Sequence, residues 1–182
     1  SDESRGLGDV YKRQVMLIEI EKKSQTYQFE ANAGEKLLYA GLRAGIPLPF
    51  ECATGTCGSC KARVTQGEVD EGWSDAPGKE RFKVVKREIL MCQCSAQSDC
   101  SLSVPTKIVA FRDDDINPDH HIGVITQYEK LTEDVLRFNV EIPTNISFHA
   151  GQFFVLQAPE VNGFRAYSCL LYTSDAADDP AS

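Results

Sequence analysis

The segment ECATGTCGSC, residues 51–60, constrains this chain more than any other, because it places three cysteines within ten positions. Cys52, Cys57 and Cys60 follow the spacing C-x4-C-x2-C, and glycines or small hydroxyl residues fill most of the gaps. Three soft thiolates this close together suit a zinc ion or an iron–sulfur cluster. The segment therefore predicts a metal or cluster site, with ordinary free thiols as the remaining alternative.

The spacing favours a cluster over zinc. Zinc sites usually pair their ligands as two C-x2-C units, whereas C-x4-C-x2-C with a distant fourth cysteine is the plant-type [2Fe–2S] spacing. Two irons bridged by sulfides need two thiolates each, so the ligands must surround the cluster. Backbone N–H groups must also approach the sulfides closely, and Gly55 and Gly58 allow that approach.

The fourth ligand lies in LMCQC, residues 90–94, which offers both Cys92 and Cys94. In an extended segment, side chains two residues apart project to the same face. The residues by themselves therefore leave the choice between these two cysteines open.

Composition and charge exclude several classes of protein. The formal net charge of −8 argues against nucleic-acid binding, which needs clustered Lys and Arg. No run of about 18 apolar residues occurs, so no membrane-spanning segment is predicted. The seven cysteines are too unevenly spaced for a disulfide framework, which favours a reducing, cytoplasmic setting.

Two segments near the ends, DVYKRQ (residues 9–14) and CLLYTS (residues 169–174), can come from one DNA segment read on opposite strands. The codons GAT-GTG-TAT-AAG-AGA-CAG have a reverse complement that, read one base later and followed by T, encodes CLLYTS. This DNA resembles a transposon end used to prepare sequencing libraries. We therefore expect residues 1–14 and 169–182 to be adapter-derived, Met16 to be a plausible start, and the parent protein to be longer.

Residues 15–105 have the pattern of a compact α+β domain. MLIEIE and TYQFEA alternate apolar and polar residues, which predicts a β-hairpin. GEKLLYAGLRAG has a helical apolar face, with Gly45 where a helix C-cap is expected. Farther along, KARVTQGEV predicts a strand and turn, PGKERFKVVKREIL has helical charge pairing, and SLSVP predicts a short closing strand.

The second half begins after a polar stretch, residues 106–119, which we interpret as a linker. Within residues 120–168, HIGVITQYEKLTEDVLRFNVEI predicts two strands, AGQFFVLQAP a third, and GFRAYS the start of a fourth. Successive short strands with turn signals indicate an antiparallel barrel or sandwich. Because four strands are too few to close a barrel, we expect an open apolar face and an unstable half.

Taken together, these motifs resemble the reductase components of bacterial oxygenases and related NAD(P)H-dependent ferredoxin-type flavoprotein reductases. ECATGTCGSCKARV and ILMCQC match the ferredoxin part, and AGQFFVLQAP with FRAYS matches the flavin part. The resemblance implies an α+β fold: a β-grasp ferredoxin-like domain followed by the first strands of an antiparallel flavin-binding β-barrel. It also selects Cys92 as the fourth ligand, through the segment L-x-C-Q. Cys94 and Cys100 are then small buried residues.

The same resemblance assigns a flavin motif to Arg165, Tyr167 and Ser168. Arg165 would neutralise the FAD pyrophosphate, Tyr167 would pack on the isoalloxazine ring, and Ser168 would hydrogen-bond near its reactive nitrogen. In the parent protein, NAD(P)H would reduce FAD, and the [2Fe–2S] cluster would pass electrons singly to an oxygenase or other acceptor protein.

No catalytic residue is assigned within this chain. FAD binding is doubtful and hydride transfer is not expected here, because the rest of the barrel and the nicotinamide site are absent from the sequence. The alternative function is a stand-alone ferredoxin-like one-electron carrier, with residues 106–168 as an unrelated β module.

Overall fold

A computed structural model describes residues 15–22, 25–80, 82–111, 116–149, 151–158 and 163–168. The two adapter-like segments lie outside these ranges, as do residues 112–115 of the expected linker.

A β-hairpin opens the described chain and confirms the first strand prediction. Strand β1 (Val15–Lys22) pairs antiparallel with β2 (Gln25–Asn32) along its whole length. Met16, Ile18 and Ile20 are buried on one face of β1, while the residues between them point outward or are half-covered. This period of two is what a strand with one core-facing side requires.

Helix α1 (Leu37–Arg43) packs beside the hairpin and buries Leu37, Leu38, Ala40, Gly41 and Leu42. Its C-terminus is a Schellman motif, in which the N–H of Gly45 donates to the Leu42 carbonyl and that of Ile46 to the Gly41 carbonyl, each at 2.9 Å. Gly45 has φ +77°, which confirms the predicted C-cap glycine. Across the described ranges, the helices are too short or too polar to cross a membrane.

The first half is completed by five further strands: β3 (Lys61–Gln66), β4 (Val69–Asp70), β5 (Glu88–Leu90), β6 (Ser95–Ala96) and β7 (Cys100–Ser103). Five strands form one sheet in the order β2-β1-β7-β3-β5, and β4 pairs with β6 in a small ribbon. β7 runs parallel to β1 and antiparallel to β3. The segment predicted as a closing strand is therefore the central strand of the sheet, and the β-grasp expectation is confirmed.

The helical interpretation of PGKERFKVVKREIL is wrong. The structure has two 3₁₀ turns, Pro77–Lys79 and Val84–Lys86, and then strand β5. The Glu88 carboxylate accepts the Lys83 N–H at 2.7 Å and pairs with Lys61 of β3 at 3.0 Å. The charged residues of this segment, whose spacing also suits a helix, thus connect the 3₁₀ turns to strand β3 through Glu88.

The second half consists of two antiparallel ribbons. β8 (Val124–Lys130) pairs with β9 (Leu136–Glu141), and β10 (Phe153–Leu156) pairs with β11 (Arg165–Ser168). All four predicted strands are present. The β8–β9 ribbon leaves large apolar side chains exposed, among them Val124 at 63% and Leu136 at 61%. This open apolar face agrees with the sequence, while the instability of the half stays a prediction.

Replacing Gly45 tests the helix end. A Cβ at this position would meet only the Asn117 amide nitrogen at 3.8 Å, so space is not the constraint. Because φ is +77°, we expect Gly45→Ala to lower the free energy of unfolding by about 1–2 kcal/mol. Gly45→Asn should lose less stability, because asparagine tolerates the left-handed backbone conformation. Equal stability of all three proteins in urea unfolding would contradict the assignment.

Candidate iron–sulfur site

The four candidate ligands lie at one end of the five-stranded sheet. Cys52 is half-buried and Cys57 is exposed in the loop between α1 and β3, whereas Cys60 and Cys92 are buried at 2% and 0% exposure. The site therefore reaches the surface on the Cys57 side and is enclosed on the other.

The end of the β3–β5 ladder brings Cys60 and Cys92 together. Lys61 pairs with Leu90 in the sheet, and one residue farther the Met91 N–H donates to the Cys60 carbonyl at 3.0 Å. Cys92 thereby lies beside Cys60. The Cys60 thiol donates a hydrogen bond to the Cys92 sulfur, which lowers the pKa of Cys92 and raises that of Cys60.

A tight turn separates Cys92 from Cys94. The N–H groups of Gln93 and Cys94 both donate to the Leu90 carbonyl, at 2.9 and 3.1 Å. The expectation of an extended segment with both cysteines on one face is therefore wrong. The Cys94 sulfur lies instead 3.9 Å from the Glu71 carbonyl, and burial raises the pKa of that thiol to about 12.

The N-terminus of α1 holds this turn in place. The helix has no side-chain N-cap, and its first N–H groups need acceptors. Leu37 donates to the Cys94 carbonyl at 2.9 Å and Leu38 to the Met91 carbonyl at 3.0 Å. The backbone on both sides of Cys92 is thus tied to the helix.

Cys52 and Cys57 form a second thiol pair within the loop. Burial would raise the pKa of Cys52, but hydrogen bonds from Thr56, Thr54 and Cys57 outweigh it and lower the pKa to about 6. Backbone N–H groups reach both sulfurs: that of Thr54 lies 3.4 Å from Cys52 Sγ, and that of Ser59 lies 3.4 Å from Cys57 Sγ.

This donor set fits a binuclear cluster. In the described part of the chain, no three His, Cys, Asp or Glu side chains gather around one point that a metal ion could occupy. The thiols instead form two pairs, Cys52 with Cys57 and Cys60 with Cys92. Two irons need two thiolates each and N–H donors near the sulfurs, and both conditions are met here.

Three glycines allow the loop to pack closely against the turn at Pro77–Lys79. Gly55 and Gly58 have φ of +95° and +83°, as the predicted backbone freedom requires. Gly78 donates its N–H to the Gly55 carbonyl at 2.9 Å, and a Cβ on Gly78 would lie 2.8 Å from the Gly58 nitrogen. Sequence reasoning missed Gly78, although the Pro-Gly dipeptide was a turn signal that could have revealed it.

Gln93 is a second residue that sequence reasoning did not single out. It is only 3% exposed, and its amide Nε2 lies 3.5 Å from Cys92 Sγ. The same side chain lies against Gly55, where a Cβ would come within 3.0 Å of the amide nitrogen. A buried amide between two parts of the site keeps the fourth cysteine and the loop in contact.

The three residues of the flavin motif all lie on β11. Arg165 and Tyr167 fall on the same face of the strand, Ser168 falls on the opposite one, and all three are exposed. The Tyr167 ring meets the Phe138 ring edge-on, with centroids 6.3 Å apart. Arg165 donates to the Phe164 carbonyl at 3.0 Å. Their exposure leaves Arg165 and Tyr167 open to a ligand.

Comparison with known families identifies the first half. Residues 20–97 match the model of the 2Fe-2S iron-sulfur cluster binding domain. This match includes the whole loop, the β3–β5 ladder and the turn at Cys92. The first half of the chain is thus a [2Fe–2S] ferredoxin-type domain.

The similarity to known proteins extends beyond that domain. The chain is 36% identical over 141 residues to the ferredoxin–NAD(+) reductase component of the alkene monooxygenase system of Xanthobacter autotrophicus, covering 77% of this chain and 42% of that protein. It is 34% identical over 142 residues to a ferredoxin–NAD(P)(+) reductase of Metapseudomonas resinovorans, and this match covers 75% of this chain and 41% of that protein. The solved ferredoxin reductase of carbazole 1,9a-dioxygenase superposes with a TM-score of 0.72 at 31% identity, covering 86% of this chain and 46% of that one.

The chain is therefore homologous to the ferredoxin–NAD(P)+ reductase components of oxygenase systems. It spans less than half the length of these relatives.

Replacing Gly78 tests the close packing beneath the loop. The methyl group of Gly78→Ala would overlap backbone atoms of Gly55 and Gly58, so we expect a loss of about 1–3 kcal/mol in stability. We also expect poor retention of iron and sulfide, measured by metal analysis and visible absorbance.

Gly34→Ala is the control for lost stability without a steric overlap, because Gly34 has a left-handed φ of +77° but nothing within 4 Å of its Cβ position. That variant should lose stability and keep its cluster. Normal cluster content in Gly78→Ala would contradict the packing argument.

Proposed function

We propose that this chain is the cluster-bearing part of an electron-transfer reductase, and that Cys52, Cys57, Cys60 and Cys92 hold a [2Fe–2S] cluster. The observation that carries the proposal is the meeting of Cys60 and Cys92 at the end of the β3–β5 ladder. This contact supplies the fourth thiol, Cys92, and divides the four cysteines into two pairs. The cluster, when bound, supplies one-electron transfer at low potential.

The chain's own groups stabilise the thiolates by hydrogen bonding. The N–H groups of Thr54 and Ser59 point at Cys52 and Cys57, and the Gln93 amide points at Cys92. Such donors favour the charged form of a sulfur ligand and tune its reduction potential. Burial of Cys60 and Cys92 keeps water away from that side of the site.

The proposal extends to the longer protein of which this chain forms part. There, Arg165 would neutralise the FAD pyrophosphate, Tyr167 would pack on the isoalloxazine ring, and Ser168 would bond near its reactive nitrogen. NAD(P)H would supply electron pairs, and an oxygenase or similar protein would accept single electrons from the cluster domain. Homology to several oxygenase electron-transfer components supports this assignment.

A reducing, cytoplasmic setting is also part of the proposal. The six cysteines in the described part of the chain are all free thiols. Free, closely spaced thiols persist where the cell keeps them reduced.

Anaerobic reconstitution with iron and sulfide tests the cluster assignment. We expect equal amounts of iron and sulfide, visible charge-transfer absorption, and a paramagnetic signal after one-electron reduction. Cys92→Ser should lose most of the cluster, because it removes one thiolate of a pair. Cys94→Ser is the matched control and should retain it, since Cys94 is directed away from the other thiols towards Glu71.

A colourless protein that binds one zinc ion would contradict the proposal. Cluster loss in Cys94→Ser but not in Cys92→Ser would show that the fourth ligand is wrongly assigned.

The flavin part of the proposal is tested in the longer protein. We expect Arg165→Ala to weaken FAD binding by about tenfold or more, because a hydrogen bond to a charged group contributes about 1.5–3 kcal/mol. Arg137→Ala is the control, since the Arg137 side chain is 66% exposed and pairs with Glu129 on the same ribbon. Equal FAD affinity in the two variants, measured by flavin fluorescence, would argue against the assigned role of Arg165.

A further inference from the structure

Tyr39 of α1 contacts both the cysteine loop and Phe164, the residue that precedes β11. Its hydroxyl donates to the Ala53 carbonyl at 2.6 Å, and its ring meets the Phe164 ring edge-on, with centroids 5.1 Å apart at 75°. Ala53 follows Cys52, and Phe164 precedes Arg165. One side chain thus joins the immediate neighbours of a candidate cluster ligand and of a candidate flavin residue.

The loop needs an external contact at Ala53. This alanine has φ +56°, a left-handed conformation that is unfavourable for a residue with a Cβ. Such a conformation persists only where the surrounding contacts hold it. Ala53 is 3% exposed, and the Tyr39 hydroxyl bonds its carbonyl.

The Tyr39 hydroxyl is suited to remain a donor. Burial, together with the nearby thiols of Cys92, Cys60 and Cys52, raises the pKa of Tyr39.

A second aromatic contact lies on the same side of the loop. Phe50, two residues before Cys52, meets Phe153 of β10 edge-on with centroids 6.3 Å apart. Phe153 and Val155 are also partly buried against the core of the first half. The β10–β11 ribbon is thus docked on the first half beside the cysteine loop.

We propose that Tyr39 is a positioning residue that holds the cysteine loop and strand β11 in one fixed arrangement. The inference rests on the proposed function, because the two segments it joins are those assigned to the cluster and the flavin. A fixed arrangement keeps the distance between the two proposed redox sites constant. A tyrosine that merely filled space would need neither its hydroxyl bond nor its ring partner.

Two variants separate the two contacts. Tyr39→Phe removes the bond to Ala53 and keeps the ring, whereas Phe164→Leu removes the ring partner and keeps the bond. Tyr27→Phe is the matched control, because Tyr27 also packs against the core, while its hydroxyl bonds Gln25 on its own strand.

We would measure the visible circular dichroism and electron paramagnetic resonance of the reconstituted cluster, its release to a chelator, and amide hydrogen exchange with and without the cluster. For Tyr39→Phe we expect altered spectra and release about 3- to 10-fold faster, as the loss of one hydrogen bond implies. For Phe164→Leu we expect wild-type spectra but exchange of residues 165–168 about 3- to 10-fold faster, from the lost ring contact. Tyr27→Phe should change none of these.

Unchanged spectra and release in Tyr39→Phe would overturn the role of Tyr39 at the loop. Unchanged exchange of residues 165–168 in Phe164→Leu would overturn the contact with β11. If the variant still holds its cluster, either of these two results contradicts the positioning role of Tyr39 and leaves the proposed function intact. If the wild-type chain binds no cluster, the proposed function fails, and exchange in the cluster-free chain still decides whether Tyr39 joins the two segments.

Discussion

The backbone pairing at the ends of β3 and β5 is the interaction on which the rest of the site depends. Cys60 ends the cysteine loop and Cys92 begins a turn far along the chain, and the bond from the Met91 N–H to the Cys60 carbonyl brings them side by side. Helix α1 reinforces this pairing, because its first N–H groups use the carbonyls of Met91 and Cys94 in place of a side-chain cap. The same hydrogen bonds therefore cap the helix and hold the turn in place.

Close packing of the backbone around the cysteine loop is the second feature that shapes the site. The loop lies against the turn at Gly78 with so little room that a methyl group there would overlap it. In the same loop, backbone N–H groups reach the sulfurs of Cys52 and Cys57. The nearby cation Lys61 is paired with Glu88 and lies over the Phe82 ring. In this acidic chain, amide donors therefore stabilise the sulfur charge directly, as oriented dipoles do at other anionic sites.

The two ribbons of the second half differ in what supports them. β10 packs Phe153 and Val155 against the core of the first half, whereas the β8–β9 ribbon exposes side chains such as Ile125 and Tyr128 at 60% and 81%. Apolar area removed from water stabilises only where a neighbour covers it. Within the described residues, β10–β11 is therefore the part of the second half whose position is tied to the cysteine loop.

Local signals in the sequence determined the cysteine loop, the alternation of the hairpin, the C-cap at Gly45 and the four strands of the second half. Each depends on residues a few positions apart, where spacing reports backbone geometry directly. Only the tertiary structure decided that Cys92 and Cys94 diverge, that residues 77–90 form turns and a strand, and that β7 lies in the centre of the sheet. It also revealed Gly78, Gln93 and Tyr39. These features arise from hydrogen bonds and packing between segments distant along the chain, which no local pattern can report.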